Sequence, residues 1–174
     1  MKTRVKFLHE NATFKKAYPT DSGYDLTACD YEYKGNGLWH IKLGVAVQPP
    51  EGYYFEVVPR SSFSKTPFIL PNNIGIIDMS YRGEWLFPVR HLGAPYWNVY
   101  SDLLRQANVE QFCTVEKEVE RLTVVQIQSE ITKHLLNKRI AQAVLRKYYD
   151  SEIEIVDELN ETDRGANGFG SSGV

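Results

Sequence analysis

The chain predicts a mainly β domain of the sandwich or barrel class, and two observations carry that reading. Its 174 residues, 43% apolar and 24% charged, suit one globular domain with its own core. Along the first half, short alternating apolar runs are separated by Gly- and Pro-containing turns, the pattern of a β-rich fold. WHIKLGVAV places Ile41, Leu43, Val45 and Val47 on one face, QPPEG turns, and YYFEVV alternates again through Tyr53, Phe55 and Val57. Together they read as a hairpin. VKFL, GEWLFPVRHL, RIAQAVLRKYY and SEIEIVDEL are further strand candidates, rich in residues that pack on a pleated surface.

Residues 101–136 break the rhythm. Ser101 and Asp102 are placed to start a helix, and Phe112, Val115, Val119 and Leu122 form a stripe at helical spacing. TVVQIQ, just beyond, reads equally well as a strand. One or two helices are expected here, the stripe packing on the domain's own core.

Charge and composition exclude several classes. A net charge of −2 leaves no Lys and Arg excess for duplex nucleic acid, so any polyanion handled is small and held by a few placed cations. Cys29 and Cys113 are too few for a disulfide scaffold and fit a reduced cytoplasmic setting, or a nuclear one in a eukaryote. MKTRVKFLHENATFKKAY lacks an apolar core and cleavage signal, and no stretch approaches a membrane span, so a soluble, untargeted protein is expected. His9, His40, His91 and His134 are spread too widely to form a local ligand pair, which argues against structural zinc. Magnesium carried in by a phosphate substrate stays open, because it needs few protein ligands.

Four stretches bear chemistry. AYPTDSGYDL sets Asp21 and Asp25 around a Ser-Gly turn, to cap the turn or to hold waters on a metal. PRSSFS follows a strand and offers Arg60, Ser61 and Ser62, a guanidinium fork with hydroxyls that suits phosphate oxygens and equally an ordinary polar turn. PNNIGIIDMSYRGEW, residues 71–85, reads as a hairpin-like stretch with a polar tip, where an isolated Asp78 would by default cap backbone amides. The closing DRGANGFGSSGV has the composition of a loose tail or linker, yet linkers seldom space one Arg and one Phe among glycines in this way.

Taken in order, DSGYDL, PRSS, NNIGIIDMSYRGE, RIAQAV and RGANGFGSSG resemble the five motifs of the homotrimeric dUTP pyrophosphatases (dUTPases), spanning residues 17 to 173. The resemblance implies a dUTPase-like jelly-roll, or distorted β-barrel, assembled as a homotrimer with active sites at subunit interfaces. It implies hydrolysis of dUTP to dUMP and pyrophosphate with Mg2+, which keeps uracil out of DNA and supplies dUMP. On matching positions, Asp78 would activate the water that attacks the α-phosphorus. Asn72, with main-chain groups of Gly75 and Ile77, would read the uracil edge, and Tyr81 would pack under the deoxyribose. Arg60, Ser61, Ser62 and Gln142 would contact the phosphates, and Asp25 would approach the magnesium through water. In the arm from residue 163 to 174, Phe169 would stack on uracil, Arg164 would reach the terminal phosphate, and Gly170, Ser171 and Ser172 would contact the phosphates, closing a lid over the 1–162 domain.

Two departures from the family pattern stand out. Tyr81 and Gln142 lie farther apart than one strand, a turn and another strand require, so residues near 98–133 read as a partly helical insertion, open to an unknown protein partner. FSKTPFIL after PRSS lacks the small residues usual there. Two other readings remain: a dCTP deaminase of the same fold, for which Glu84 is the candidate residue, and a dUTPase-like regulatory protein acting through the insertion.

Overall fold

Alternation of core-facing and outward-facing residues organises the ten strands among the described residues into three antiparallel sheets. The structure is a computed structural model and describes residues 1–93, 112–163 and 165–166, the side chains of 112–120 excepted. In chain order the strands are β1 (Arg4–Phe7), β2 (Gly23–Thr27), β3 (Asp30–Tyr33), β4 (Leu38–Lys42), β5 (Val45–Gln48), β6 (Tyr53–Pro59), β7 (Phe68–Ile69), β8 (Gly75–Ile77), β9 (Leu86–His91) and β10 (Arg139–Lys147). A 3-10 turn, Ser61–Lys65, follows β6, and among the described residues one helix, α1 (Phe112–His134), precedes β10. One four-stranded sheet has the order β2-β10-β6-β8, a second β3-β4-β9-β7, and β1 pairs with β5 alone.

The two larger sheets contribute to a single core. Phe55 and Val57 of β6 and Ala141 and Ala143 of β10 join Trp39 and Ile41 of β4 and Phe87 and Val89 of β9, all almost fully buried. Phe55 meets the buried Trp85 with ring centroids 5.4 Å apart, and Phe14 closes on both. Truncating Phe55 to Ala would cost about 3–5 kcal/mol, the usual range for a buried aromatic. Pro88 is accommodated inside β9 because β7 pairs only with Arg90 and His91, leaving the strand unpaired on that side at residue 88.

Three local expectations are corrected. Ile41, Leu43, Val45 and Val47 are all buried as expected, but the run is two strands, parted at Gly44 with φ +64°. A β-carbon on Gly44 would stand 2.9 Å from Cys29 Sγ and from His9 Cβ, so only glycine fits at this turn. β5 leaves to pair with β1, while β6 pairs with β10 and β8, so no hairpin joins WHIKLGVAV to YYFEVV. Residues 71–85 are likewise not a hairpin: β7 pairs with β9 and β8 with β6, in different sheets. SEIEIVDEL forms no strand, and Ile153, Ile155 and Leu159 are almost fully exposed.

The helix is one element, and TVVQIQ lies inside it. Its β-branched residues adopt helix because Ile127 and Ile131, with Leu135 just beyond and Val124 before them, pack on the core at spacings of three and four. Leu122 of the expected stripe is half exposed, and the side chains of Phe112, Val115 and Val119 lie outside the described residues. Ser101 and Asp102 lie outside them too, as do Arg164, Phe169, Gly170, Ser171 and Ser172. Among the described residues no helix is long and apolar enough to cross a membrane.

Candidate functional site

The register of one sheet brings Asp25, Arg60 and Gln142 together. Asp25 and Gln142 stand directly opposite on β2 and β10, and Gln142 faces Val58 across the other edge of β10. They share the face away from Ala141 and Ala143. Asp25 is nevertheless only 5% exposed, and Thr13–Lys15 runs beside it: its amide donates to the Lys15 carbonyl at 2.7 Å, and Thr13 Oγ1 donates to its carbonyl at 3.1 Å. Arg60, the residue before the 3-10 turn, places Nη1 3.2 Å from Asp25 Oδ2. Gln142 fits because Gly23 has no side chain; a β-carbon there would lie 2.9 Å from Gln142 Oε1.

Arg139 belongs to the same cluster and was missed by sequence reasoning. Its Nη1 donates to Asp25 Oδ2 at 2.8 Å. Strict alternation would turn Arg139 with Ala141 toward the core, but the β2–β10 register shifts between these two residues, an irregularity of the kind that re-aims a side chain. Ser61 and Ser62 are exposed at the start of the turn. Ser62 opens on a cavity of about 210 Å³ lined also by Lys65, Thr66, His134, Lys138 and Arg139, a basic surround suited to phosphate.

Asp78 and Tyr81 form a second cluster. Asp78 is exposed just past β8, and the backbone turn there is closed by its carbonyl, which accepts from the Tyr81 amide at 3.1 Å. Arg82 Nη1 donates to the carbonyls of Met79 and Tyr81 at 2.8 and 2.9 Å, fixing the turn. Tyr81 Oη donates to the Glu84 carbonyl at 3.1 Å, its ring lying over Gly83, where a β-carbon would be 2.4 Å from that oxygen. Asp78 and Tyr81 line a cavity of about 190 Å³ with Ile76, Ile77, Glu84 and Leu86. Asn72 is exposed in the preceding turn, where the Ile74 amide donates to its carbonyl at 2.6 Å and Asn73 has φ +59°.

Two other carboxylates have structural work. Asp21 Oδ2 accepts from the Tyr18 amide at 2.9 Å, capping its turn. Glu84 Oε1 accepts from the Gly44 amide at 3.2 Å, holding the bend between β4 and β5.

Within one chain the two clusters are apart. Ile77 faces Phe55, so Asp78 is level with Tyr54, whereas Asp25 is level with Val58 and three strands away in the order β2-β10-β6-β8. With ~3.3 Å per residue and ~4.8 Å per strand, the two backbones are about 20 Å apart. Around Asp78, Ile74, Ile76, Met79, Tyr81 and Leu86 are each 39% or more exposed, an apolar surface of the kind that marks a contact site.

Among the described residues no group of three or more His, Cys, Asp or Glu is placed to hold a metal ion. Cys29 is buried, and that burial, helped by Glu84 and Asp30, raises its thiol to about 11, which leaves it inert near neutral pH.

Comparison with known proteins identifies a family. The sequence model of the dUTPase family matches residues 9–90 and 125–173. Deoxyuridine 5'-triphosphate nucleotidohydrolase of Leptospira interrogans is 31% identical over 99% of both chains. Among solved structures, the dUTPase of Staphylococcus bacteriophage 80alpha with dUPNHPP superposes with a TM-score of 0.60 over 99% of both chains at 23% identity. A mutant dUTPase from phage phi11 of S. aureus, described for coordination of a structural Mg(II) ion, has a TM-score of 0.61 at 18% identity, covering 92% of this chain and all of that one. These solved structures share the mainly β fold, and the sequence matches run through both clusters and beyond. The chain therefore belongs to the dUTPase family.

Proposed function

We propose that the protein hydrolyses dUTP to dUMP and pyrophosphate at sites shared between the chains of a homotrimer. The observation that carries this reading is the separation of about 20 Å between Asp78 and the Asp25, Arg60, Gln142 cluster within one chain. Asp78 is an exposed carboxylate among exposed apolar residues, whereas the cavity opened on by Ser62 and Arg139, near Arg60 and Gln142, is lined by Lys65, Lys138 and His134 and by no carboxylate. A second copy docked on the apolar surface would unite the two halves.

In such a site Arg60, Ser61, Ser62 and Gln142 hold the triphosphate, and the guanidinium and amide donors steady the charge that grows on it during in-line attack. Asp78 orients a water and takes its proton. Asn72, Gly75 and Ile77 offer main-chain and amide groups to the uracil edge, rejecting cytosine by mismatched donors and acceptors. Tyr81, held by the Glu84 carbonyl, presents a ring to the sugar. Asp25 is a single hard carboxylate beside a phosphate cradle, and this fits a magnesium ion held chiefly by phosphate oxygens and water, Asp25 acting through one of those waters. When bound, that ion neutralises phosphate charge. Residues 163–174 close over the nucleotide, with Phe169 on the base and Arg164, Gly170, Ser171 and Ser172 at the phosphates, and residues 98–133 are an insertion into the 1–162 domain. The deaminase reading is disfavoured because Glu84 is committed to the Gly44 amide.

Release of pyrophosphate from dUTP, against dCTP, dTTP and UTP, tests the reading. Wild type is expected to act on dUTP with magnesium. Asp78→Asn, whose amide accepts a proton poorly, should lose at least about a hundredfold in turnover while binding dUTP. Ammonia from dCTP, or no release above the variant's background, would contradict it.

A further inference from the structure

We infer that Arg139 is a positioning residue for Asp25: with Arg60 it pins one carboxylate oxygen, so that the other is presented to the hydrated magnesium of the bound nucleotide. The inference deepens the proposed function and rests on it. Both guanidiniums meet the same oxygen, Arg139 Nη1 at 2.8 Å and Arg60 Nη1 at 3.2 Å from Asp25 Oδ2. Among the described residues the ion pairs of Asp25 are made through Oδ2.

The geometry divides the work between the two arginines. An aspartate carboxylate turns freely about its last bond in a broad twofold well, so the strand alone does not fix its plane. A carboxylate only 5% exposed also demands a counter-charge. Arg60 alone would be drawn from Asp25 to an arriving phosphate. Arg139, re-aimed by the register shift before Ala141, holds Asp25 from the β10 side, and the remaining donors of Arg60 stay free for phosphate. Merely neutralising a buried charge would be a structural role, and it predicts a different result.

The test is calorimetric binding of dUpNHpp to the full-length protein with and without magnesium, in wild type, Arg139→Gln and Arg139→Lys, with thermal unfolding run alongside. Magnesium should tighten binding by wild type. Arg139→Gln should lose about tenfold of that magnesium-dependent gain, the scale of one charge-assisted hydrogen bond, with a smaller change in metal-free affinity. Arg139→Lys should retain an intermediate gain, and it serves as the readout if the Gln variant does not fold. A folded variant of either kind with the wild-type magnesium gain overturns the inference, even if its melting temperature falls. Failure of wild type to bind the analogue at all would overturn the proposed function as well, which separates the two failures.

Discussion

Gln142 Oε1 occupies the space beside Gly23 into which a β-carbon could not fit, the built atom falling 2.9 Å away. The glycine of DSGYDL is thus a packing partner of the glutamine of RIAQAV, with Asp25 and Gln142 opposite each other two residues along. Gly23→Ala is expected to leave a folded protein and to shift the Gln142 amide. Turnover of dUTP should fall about a hundredfold, the scale for a displacement of 1 Å in a positioned group. Steady-state kinetics with a melting curve check this; unchanged kcat/KM would show that Gln142 does not act where it stands.

His91, at the end of β9, packs edge-on to Phe68 with centroids 5.2 Å apart, and its Nδ1 accepts from the Gly93 amide at 3.0 Å. Burial lowers its pKa from the ordinary 6.5, with Glu130 opposing and His134 adding to the shift from α1. A folded pKa below the unfolded one means that the unfolded chain binds the proton more readily. Stability is then full above about 6.5 and is lost as pH falls from there toward the folded value. Urea unfolding from pH 8 to pH 5 should show this loss, and His91→Gln should flatten it. An unchanged slope in the variant would place the titration elsewhere.

Most of the strand face pattern was legible in the sequence. Ile41, Leu43, Val45 and Val47 announce their burial by alternation, and RIAQAV announces β10. Pairing was not legible, because alternation says which way a side chain points and nothing about which strand lies beside it. Gly44 therefore hid the break that sends β5 to β1. SEIEIVDEL has a strand's alternation, but none of the described residues of the chain pairs with it. In the candidate site, Asp25, Arg60, Gln142, Asp78 and Tyr81 could be read from motifs. Arg139 stands first in RIAQAV, but its place beside Asp25 was not legible, since a register irregularity visible only in the pairing turns it outward. Gly23 and Gly83 matter through space they leave empty, which composition does not reveal.

Truncation after Asp163 tests the closing arm. The shortened chain should keep the fold and its assembly, since Ala143 is the last buried core residue among those described, and should lose most of its dUTP turnover because water is no longer excluded from the bound nucleotide. Turnover equal to full length would show the arm idle.

The sharing of one site between chains is tested most directly by complementation. Asp78→Asn and Arg60→Gln chains, each nearly inactive alone, would be unfolded, mixed in equal amounts and refolded into mixed trimers. Random assembly should rebuild about a quarter of the sites with wild-type residues on both sides. Pyrophosphate release near that fraction of wild type is the expected result. Mixed trimers, verified by mass, that stay as inactive as their parents would contradict a site drawn from two chains.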